Sequence, residues 1–195
     1  MHPIGVRCAL LLTLASAVLS PAHVDGQAGP YSQLRIRLSG ARNVNHERLH
    51  DYWRAGTGAG VGITTPFYVG SVGATATAIP FRKREVGRPN FTALMLGVDW
   101  GVELPVPGPL QARASARVGD FVMLFENPNL WLDSESELFV GADLSAGWQM
   151  RRDLALTDAG TFVHVRTQPS LGLAMLSVGL EYVTRTPGWL RAILE

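Results

Sequence analysis

Two long segments of the chain alternate between apolar residues and small or polar ones. From Phe91 to Leu104 the even positions are mostly large and apolar, and the odd positions are mostly small or acidic. The segment Glu137–Met150 repeats this pattern, with Phe139 as the exception on its polar face. Because successive side chains of a β-strand point to opposite faces, a period of two predicts strands with one apolar face.

Six weaker segments alternate in the same way and bring the expected number of strands to eight. They lie at 34–38, 58–63, 72–78, 112–118, 163–166 and 174–182. Long connections (41–54, 82–90, 126–134) alternate with short ones (66–68, 105–109, 151–153). This predicts an all-β fold, an eight-stranded antiparallel up-and-down barrel over about residues 33–183, with longer loops at one end. A short helix is expected only in the C-terminal tail, residues 184–195, near Pro187-Gly188-Trp189-Leu190.

The N-terminal segment has the order of a secretory signal peptide. Arg7 precedes a short apolar run from Cys8 to Leu19, and small residues follow it. Cleavage is expected after Ala28, with Ala22 as the alternative, so the signal peptide spans residues 1–28 and the barrel domain 29–195. The run is too short for a transmembrane helix, which needs about 20 apolar residues. The single cysteine, Cys8, belongs to this segment, and the mature chain would contain none.

Period two does not by itself say which face of the barrel points outward. A transmembrane barrel turns its apolar face to lipid, and a soluble periplasmic lipocalin-like barrel that binds a ligand turns it inward. Glycine, serine, threonine and arginine on the polar face favour lipid, as do aromatic residues near strand ends, where interfacial girdles lie. These aromatic residues are Phe67, Tyr68, Phe81, Phe91, Trp148 and Tyr182.

Charges of opposite sign on the polar face also favour a transmembrane barrel. Five arginines match five carboxylates, and we expect them to pair inside a narrow lumen because unpaired buried charge is costly. The predicted lumen charge network comprises Arg35, Arg37, Arg113, Arg117 and Arg166 with Asp99, Glu103, Glu137, Asp143 and Glu181. The whole chain is nearly neutral, with 17 Lys and Arg against 16 Asp and Glu, which argues against a nucleic-acid partner.

The cleaved signal, the eight alternating strands and the charge-paired polar face resemble the small outer-membrane β-barrels of Gram-negative bacteria, the OmpA/OmpX-like group. The resemblance covers about Gln33 to Val183 and rests on pattern. It implies an outer-membrane location, outer-membrane lipids as surroundings and insertion by the barrel-assembly machinery. Members of the group commonly end on an aromatic residue, whereas here Val183–Glu195 follow Tyr182.

The most specific catalytic motif is His46-Glu47-Arg48-Leu49-His50. On a helix, two histidines four positions apart can bind zinc while the glutamate activates water, as in metalloproteases. Here the motif lies in a polar loop, and no third ligand follows at the expected spacing. A zinc-dependent hydrolase using His46, Glu47 and His50 is therefore an alternative hypothesis; the main expectation is no catalytic residue, no metal and no cofactor.

Three other features bear on function. Outer-membrane deacylases carry His and Ser two positions apart on a strand, but here Arg166 stands where the serine would be, so His164 is expected to hydrogen-bond in the lumen. Arg82, Lys83, Arg84 and Arg88 form a basic loop cluster that suits lipopolysaccharide phosphates. Trp131 forms an apolar loop tip.

The sequence thus predicts a non-enzymatic outer-membrane barrel acting in envelope integrity or in surface interaction through its loops, and leaves the ligand, oligomeric state and conductance open.

Overall fold

A computed structural model describes residues 29–46, 49–126, 135–167 and 170–194 of the chain. The predicted signal peptide, Glu47 and Trp131 lie outside these residues. No helix within the described ranges is long and apolar enough to cross a membrane.

Nine strands and two short helices make up the described chain. In order they are β1 (Gln33–Asn43), α1 (Leu49–Tyr52), β2 (Trp53–Ala55), β3 (Thr57–Pro66), β4 (Ser71–Lys83), β5 (Phe91–Leu104), β6 (Leu110–Phe125), β7 (Glu135–Arg151), β8 (Leu154–Val165), β9 (Leu171–Arg185) and α2 (Gly188–Leu194). The helix α2 confirms the expected C-terminal helix, whereas the four-residue helix α1 was not predicted. The last strand ends at Arg185, slightly past the predicted limit.

The strands form a closed antiparallel barrel. From β3 to β9 each strand pairs with the next one along the chain, β1 pairs with β3, and β1 closes the ring against β9 through an unbroken register from Gln33↔Arg185 to Asn43↔Met175. The short strand β2 and β3 both pair with β4, so together they act as one strand and the barrel has eight. The predicted up-and-down topology is confirmed.

A bulge separates β2 from β3. Ala55 lies opposite Phe81, whereas Ala59 lies opposite Ala78, so four residue steps on this strand face three on β4. At Gly58, just past the bulge, a Cβ atom would come within 2.1 Å of the Ala78 carbonyl oxygen, so only glycine fits this close approach. Because of the extra residue, the odd-numbered residues of β2 point inward, whereas the odd-numbered residues of β3 from Thr57 to Ile63 point outward.

The two ends of the barrel differ. The end that we call the turn end holds the start of β1, the end of β9 and the short connections 67–70, 105–109 and 152–153. The loop end carries the connections 44–52, 84–90, 126–134 and 166–170. A barrel of eight strands is just wide enough for side chains to fill its interior.

Large apolar side chains cover the outer face. On β5, Leu96, Val98 and Trp100 point outward and are exposed. Trp100, Trp148 and Tyr182 lie outward toward the turn end, and the Trp100 indole N–H donates to the Val69 carbonyl oxygen at 2.8 Å. Asp120, Asp158 and His164 also lie exposed on this face. The soluble-barrel alternative requires these apolar residues to point inward, and they do not.

Candidate functional site

The half of the lumen nearer the loop end is filled by apolar side chains, which we call the apolar layer. Its members are Ile79, Phe81, Phe91, Ala93, Met95, Phe121, Phe139, Val163, Val165, Leu173 and Met175. At its top the Phe81 and Phe91 rings stack in parallel with centroids 4.8 Å apart. Both are 1% exposed, so the prediction that they belong to an interfacial girdle is wrong. The lumen is polar over only part of its length.

The half nearer the turn end holds the charged layer. It consists of Arg35, Arg37, Arg113, Arg117, Asp99, Glu103, Asp143 and Glu181. Eight of the ten residues predicted for the lumen network therefore lie together, four cations with four carboxylates. Two partly open cavities of about 30 Å³ and 40 Å³ run between them, each large enough for two or three water molecules.

Two buried ion pairs anchor the charged layer. An Arg113 Nη nitrogen lies 2.5 Å from Asp99 Oδ2, and Arg113 Nε also donates to the Ser71 hydroxyl at 3.0 Å. An Arg117 Nη nitrogen lies 3.0 Å from Asp143 Oδ2, and the Thr161 hydroxyl donates to the same carboxylate. The contacts with Ser71 and Thr161 lower the cost of burying these pairs, whereas Asp99 Oδ1 and Arg117 Nε have no hydrogen-bond partner among the described residues.

The other members of the layer are less tightly held. Arg35 lies 2.6 Å from Glu103, whose side chain is 57% exposed toward the turn end. Arg37 lies directly opposite Glu181 in the β1–β9 pair and borders both cavities. Its guanidinium is thus surrounded by Asp143, Glu181 and the two neighbouring arginines of β6.

The two layers meet at Gly97. A Cβ atom at this position would lie 3.0 Å from the Phe139 ring and 3.2 Å from the Arg117 Cγ. Glycine therefore lets the lowest ring of the apolar layer and the uppermost arginine of the charged layer approach the same strand. Sequence reasoning saw Gly97 only as a small residue on a polar face, because nothing in the pattern marks where the lumen changes character.

Two predicted lumen residues lie elsewhere. Arg166 follows Val165, whose side chain points inward and is fully buried, so alternation turns Arg166 and His164 outward, where both are exposed. The predictions that Arg166 joins the lumen network and that His164 bonds in the lumen are wrong. The error arises because the apolar residues of β8 face an apolar lumen rather than lipid. Glu137 lies near the loop end beyond Phe139, away from the charged layer.

The histidine motif lies at the loop end. The His46 and His50 rings have centroids 5.5 Å apart, and His46 Nε2 lies 3.5 Å from Asp51 Oδ1. His50 is buried against Phe81, at the top of the apolar layer. Among the described residues no group of three or more His, Cys, Asp or Glu side chains is placed to hold a metal ion. The short helix α1 is described from Leu49 to Tyr52, and Glu47 and Arg48 of the motif lie outside the described residues.

The loops at this end are joined to one another. The Trp53 indole N–H donates to the Pro89 carbonyl oxygen at 2.8 Å, and Asn90 donates to Glu126 at 2.8 Å. The Arg88 guanidinium lies 3.8 Å from the centre of the Tyr52 ring. Arg88 Nε also lies 3.5 Å from Glu85 Oε2, and the Arg84 N–H donates to the Tyr52 carbonyl oxygen at 2.8 Å. The described loop segments thus contact one another at the loop end of the barrel, next to the apolar layer.

Comparison with known proteins shows similarity at the level of the fold. No protein-family model and no curated protein sequence matches the chain. Among solved structures, Neisserial surface protein A is similar with a TM-score of 0.53 and 10% identity, over 77% of this chain and 95% of that protein. OprG of Pseudomonas aeruginosa gives 0.52 and 10% identity over 82% and 99%. The N-terminal barrel domain of OprF from the same organism gives 0.50 and 12% over 80% and 99%.

These similar structures have the fold that the sequence pattern predicts. The chain has the architecture of the small eight-stranded outer-membrane barrels.

Proposed function

We propose that the protein is a non-enzymatic outer-membrane barrel whose sealed lumen forms a rigid support for the loops at one end. The observation that carries this proposal is the combination of an apolar exterior with a lumen closed by the apolar layer. Backbone groups in lipid must be satisfied within the protein, and a closed barrel does this. An interior filled with packed rings leaves no aqueous path for a solute.

The orientation follows from the connections. Outer-membrane barrels place short turns in the periplasm and longer loops outside the cell. The charged layer then opens toward the periplasm, and the apolar layer and the packed loops face outward. Function in surface interaction or envelope integrity would thus reside in the loop end. Insertion by the barrel-assembly machinery would use β9, which ends on alternating residues before α2.

Cell fractionation tests the location and topology. We expect the protein in the outer-membrane fraction, with faster gel migration before boiling than after, because a closed barrel resists detergent at room temperature. External protease should cut the loop end and spare the turns. Recovery of the protein in the soluble periplasm, or cleavage of the turn 105–109 in intact cells, would contradict the proposal.

A conductance measurement tests the sealed lumen separately. We expect no stable channel steps from the purified barrel in a planar bilayer, because the apolar layer excludes water and ions. Reproducible ion conductance by the unaltered protein would show that the layer opens, and the role as a sealed support would then be wrong.

A further inference from the structure

Four exposed arginines lie on the outer wall at the loop end, and we call Arg42, Arg54, Arg82 and Arg84 the arginine rim. Trp53 and Ala55 pack against the apolar layer, so Arg54 between them points outward. Arg82 follows the inward-pointing Phe81 and also points outward. In the antiparallel pair of β2 with β4, Arg54 and Arg82 are directly opposite each other.

The Arg54–Arg82 pair has an energetic cost. Side chains directly opposite in an antiparallel pair have Cβ atoms about 4.5–5.5 Å apart, and like charges at such positions destabilise the sheet. None of the ion pairs formed within the described part of the chain includes a member of the rim. An anion between the two guanidinium groups would remove the repulsion, and guanidinium geometry suits phosphate oxygens.

Across the middle of the outer wall lies a shallow, open depression with a volume of about 670 Å³, which we call the outer groove. Its lining residues on the outer face are Val61, Ile63, Ala74, Ala76, Leu96, Val98, Val118, Asp120 and Leu138. Small side chains at Ala74 and Ala76 form its floor between larger residues on β3 and β5. A groove across five strands can hold several hydrocarbon chains side by side.

The rim and the groove share one strand. Ala74, Ala76 and Arg82 all point outward from β4. Ala76 and Arg82 are six positions apart, about 20 Å along an extended strand. This spacing lies within the reach of a fatty acyl chain attached to a phosphorylated sugar. Asp120 borders the groove on β6, two strands away from β4, so its charge is not next to the rim.

We propose that the arginine rim and the outer groove together bind the lipid A portion of lipopolysaccharide, with one phosphate between Arg54 and Arg82 and its acyl chains in the groove. The inference rests on the outer-membrane location proposed above, because lipid A lies in the outer leaflet. Two phosphates match the rim, and several acyl chains match the width of the groove. Phosphatidylglycerol offers one phosphate and two chains.

The first test measures the headgroup contact. The purified barrel in detergent micelles is titrated with diphosphoryl lipid A, and bound lipid is counted by native mass spectrometry. We expect the Arg54→Gln/Arg82→Gln variant to bind about tenfold more weakly. The matched control, Arg151→Gln/Arg152→Gln, removes the same charge from exposed residues at the turn end and should stay within about twofold of the unaltered protein. Equal binding by the rim variant would overturn the proposal.

The second test measures the groove. Ala76→Leu fills the floor, whereas Ala146→Leu adds the same bulk to an exposed position on β7 outside the groove. We expect only Ala76→Leu to weaken lipid A binding, by about threefold or more. Unchanged binding would show that only phosphate is recognised, which contradicts the proposed site. Equally tight binding of phosphatidylglycerol would contradict the choice of lipid A.

Fractionation of the same variants separates this proposal from the one on which it rests. If the unaltered protein is absent from the outer membrane, the proposed location fails. If the protein is present there and the rim variant binds lipid A as tightly as the unaltered protein, only the lipid site fails.

Discussion

The apolar layer and the charged layer are built from the same strands with the same alternation, yet they fill the lumen with opposite chemistry. On β5 the inward positions change from Phe91, Ala93 and Met95 to Asp99 and Glu103 within a few residues, and Gly97 lies at the change. The apolar layer is stabilised by the packing of its side chains, and the charged layer by ion pairs. Alternation therefore determines which residues share a face, but not what the inward face is made of.

Of the two layers, the charged layer should show the largest loss of stability on a single substitution. Asp143→Ala removes the carboxylate that contacts Arg117 and Thr161 and leaves a buried guanidinium without its partner. We expect a loss of about 3–5 kcal/mol in the free energy of unfolding, measured by urea titration of the barrel in lipid vesicles. A loss below 1 kcal/mol would mean that this part of the lumen is hydrated well enough to solvate Arg117.

The apolar layer should respond to lost volume instead. Phe81→Ala removes one ring of the Phe81–Phe91 stack, and we expect destabilisation of about 3 kcal/mol in the same titration. Phe81→Leu keeps most of the apolar volume and should cost less than about 1.5 kcal/mol. Equal losses in the two variants would show that ring stacking, rather than filled volume, stabilises the layer.

Solvent access should distinguish the two layers without unfolding the barrel. Because the only cysteine is Cys8, single cysteines can be placed in the chain from residue 29 onward. Ser145 lines one of the cavities of the charged layer. We expect Ser145→Cys to react with a water-soluble thiol reagent at least about tenfold faster than Ala93→Cys, in the apolar layer. Similar rates would contradict a dry upper half.

The smallest effect is expected at the edge of the charged layer. Glu103→Gln breaks the ion pair with Arg35, but the Glu103 side chain is 57% exposed. Screening by solvent limits the expected loss to about 0–1 kcal/mol in the urea titration. A loss as large as that of Asp143→Ala would show that Arg35 and Glu103 act as one unit with the buried pairs.

The sequence predicted most of the fold because the signal lies in local alternation. Phe91–Leu104 and the β7 segment keep one phase over fourteen residues, which leaves little choice but a two-faced strand. The bulge at Gly56 was not visible, because a single extra residue in a glycine-rich segment leaves no mark in the pattern.

The lumen was predicted only in part, for a physical reason. Apolar residues such as Val163 and Val165 suit lipid and a dry interior equally well, so their type does not reveal their direction. The pairing of Arg113 with Asp99 and of Arg117 with Asp143 depends on register across strands, which charge balance alone does not determine. Arg54 and Arg82 are 28 positions apart in the chain, and only strand pairing brings them together.

The bulge at Gly56 makes the identity of both barrel surfaces at this strand depend on a single residue. If Gly56 were instead paired in the ladder as a regular strand residue, β3 would continue into β2 without the exchange of sides. Trp53 and Ala55 would then turn toward the membrane, and Arg54 would enter the most apolar part of the interior. In this segment, the backbone geometry at one residue carries as much structural information as residue type.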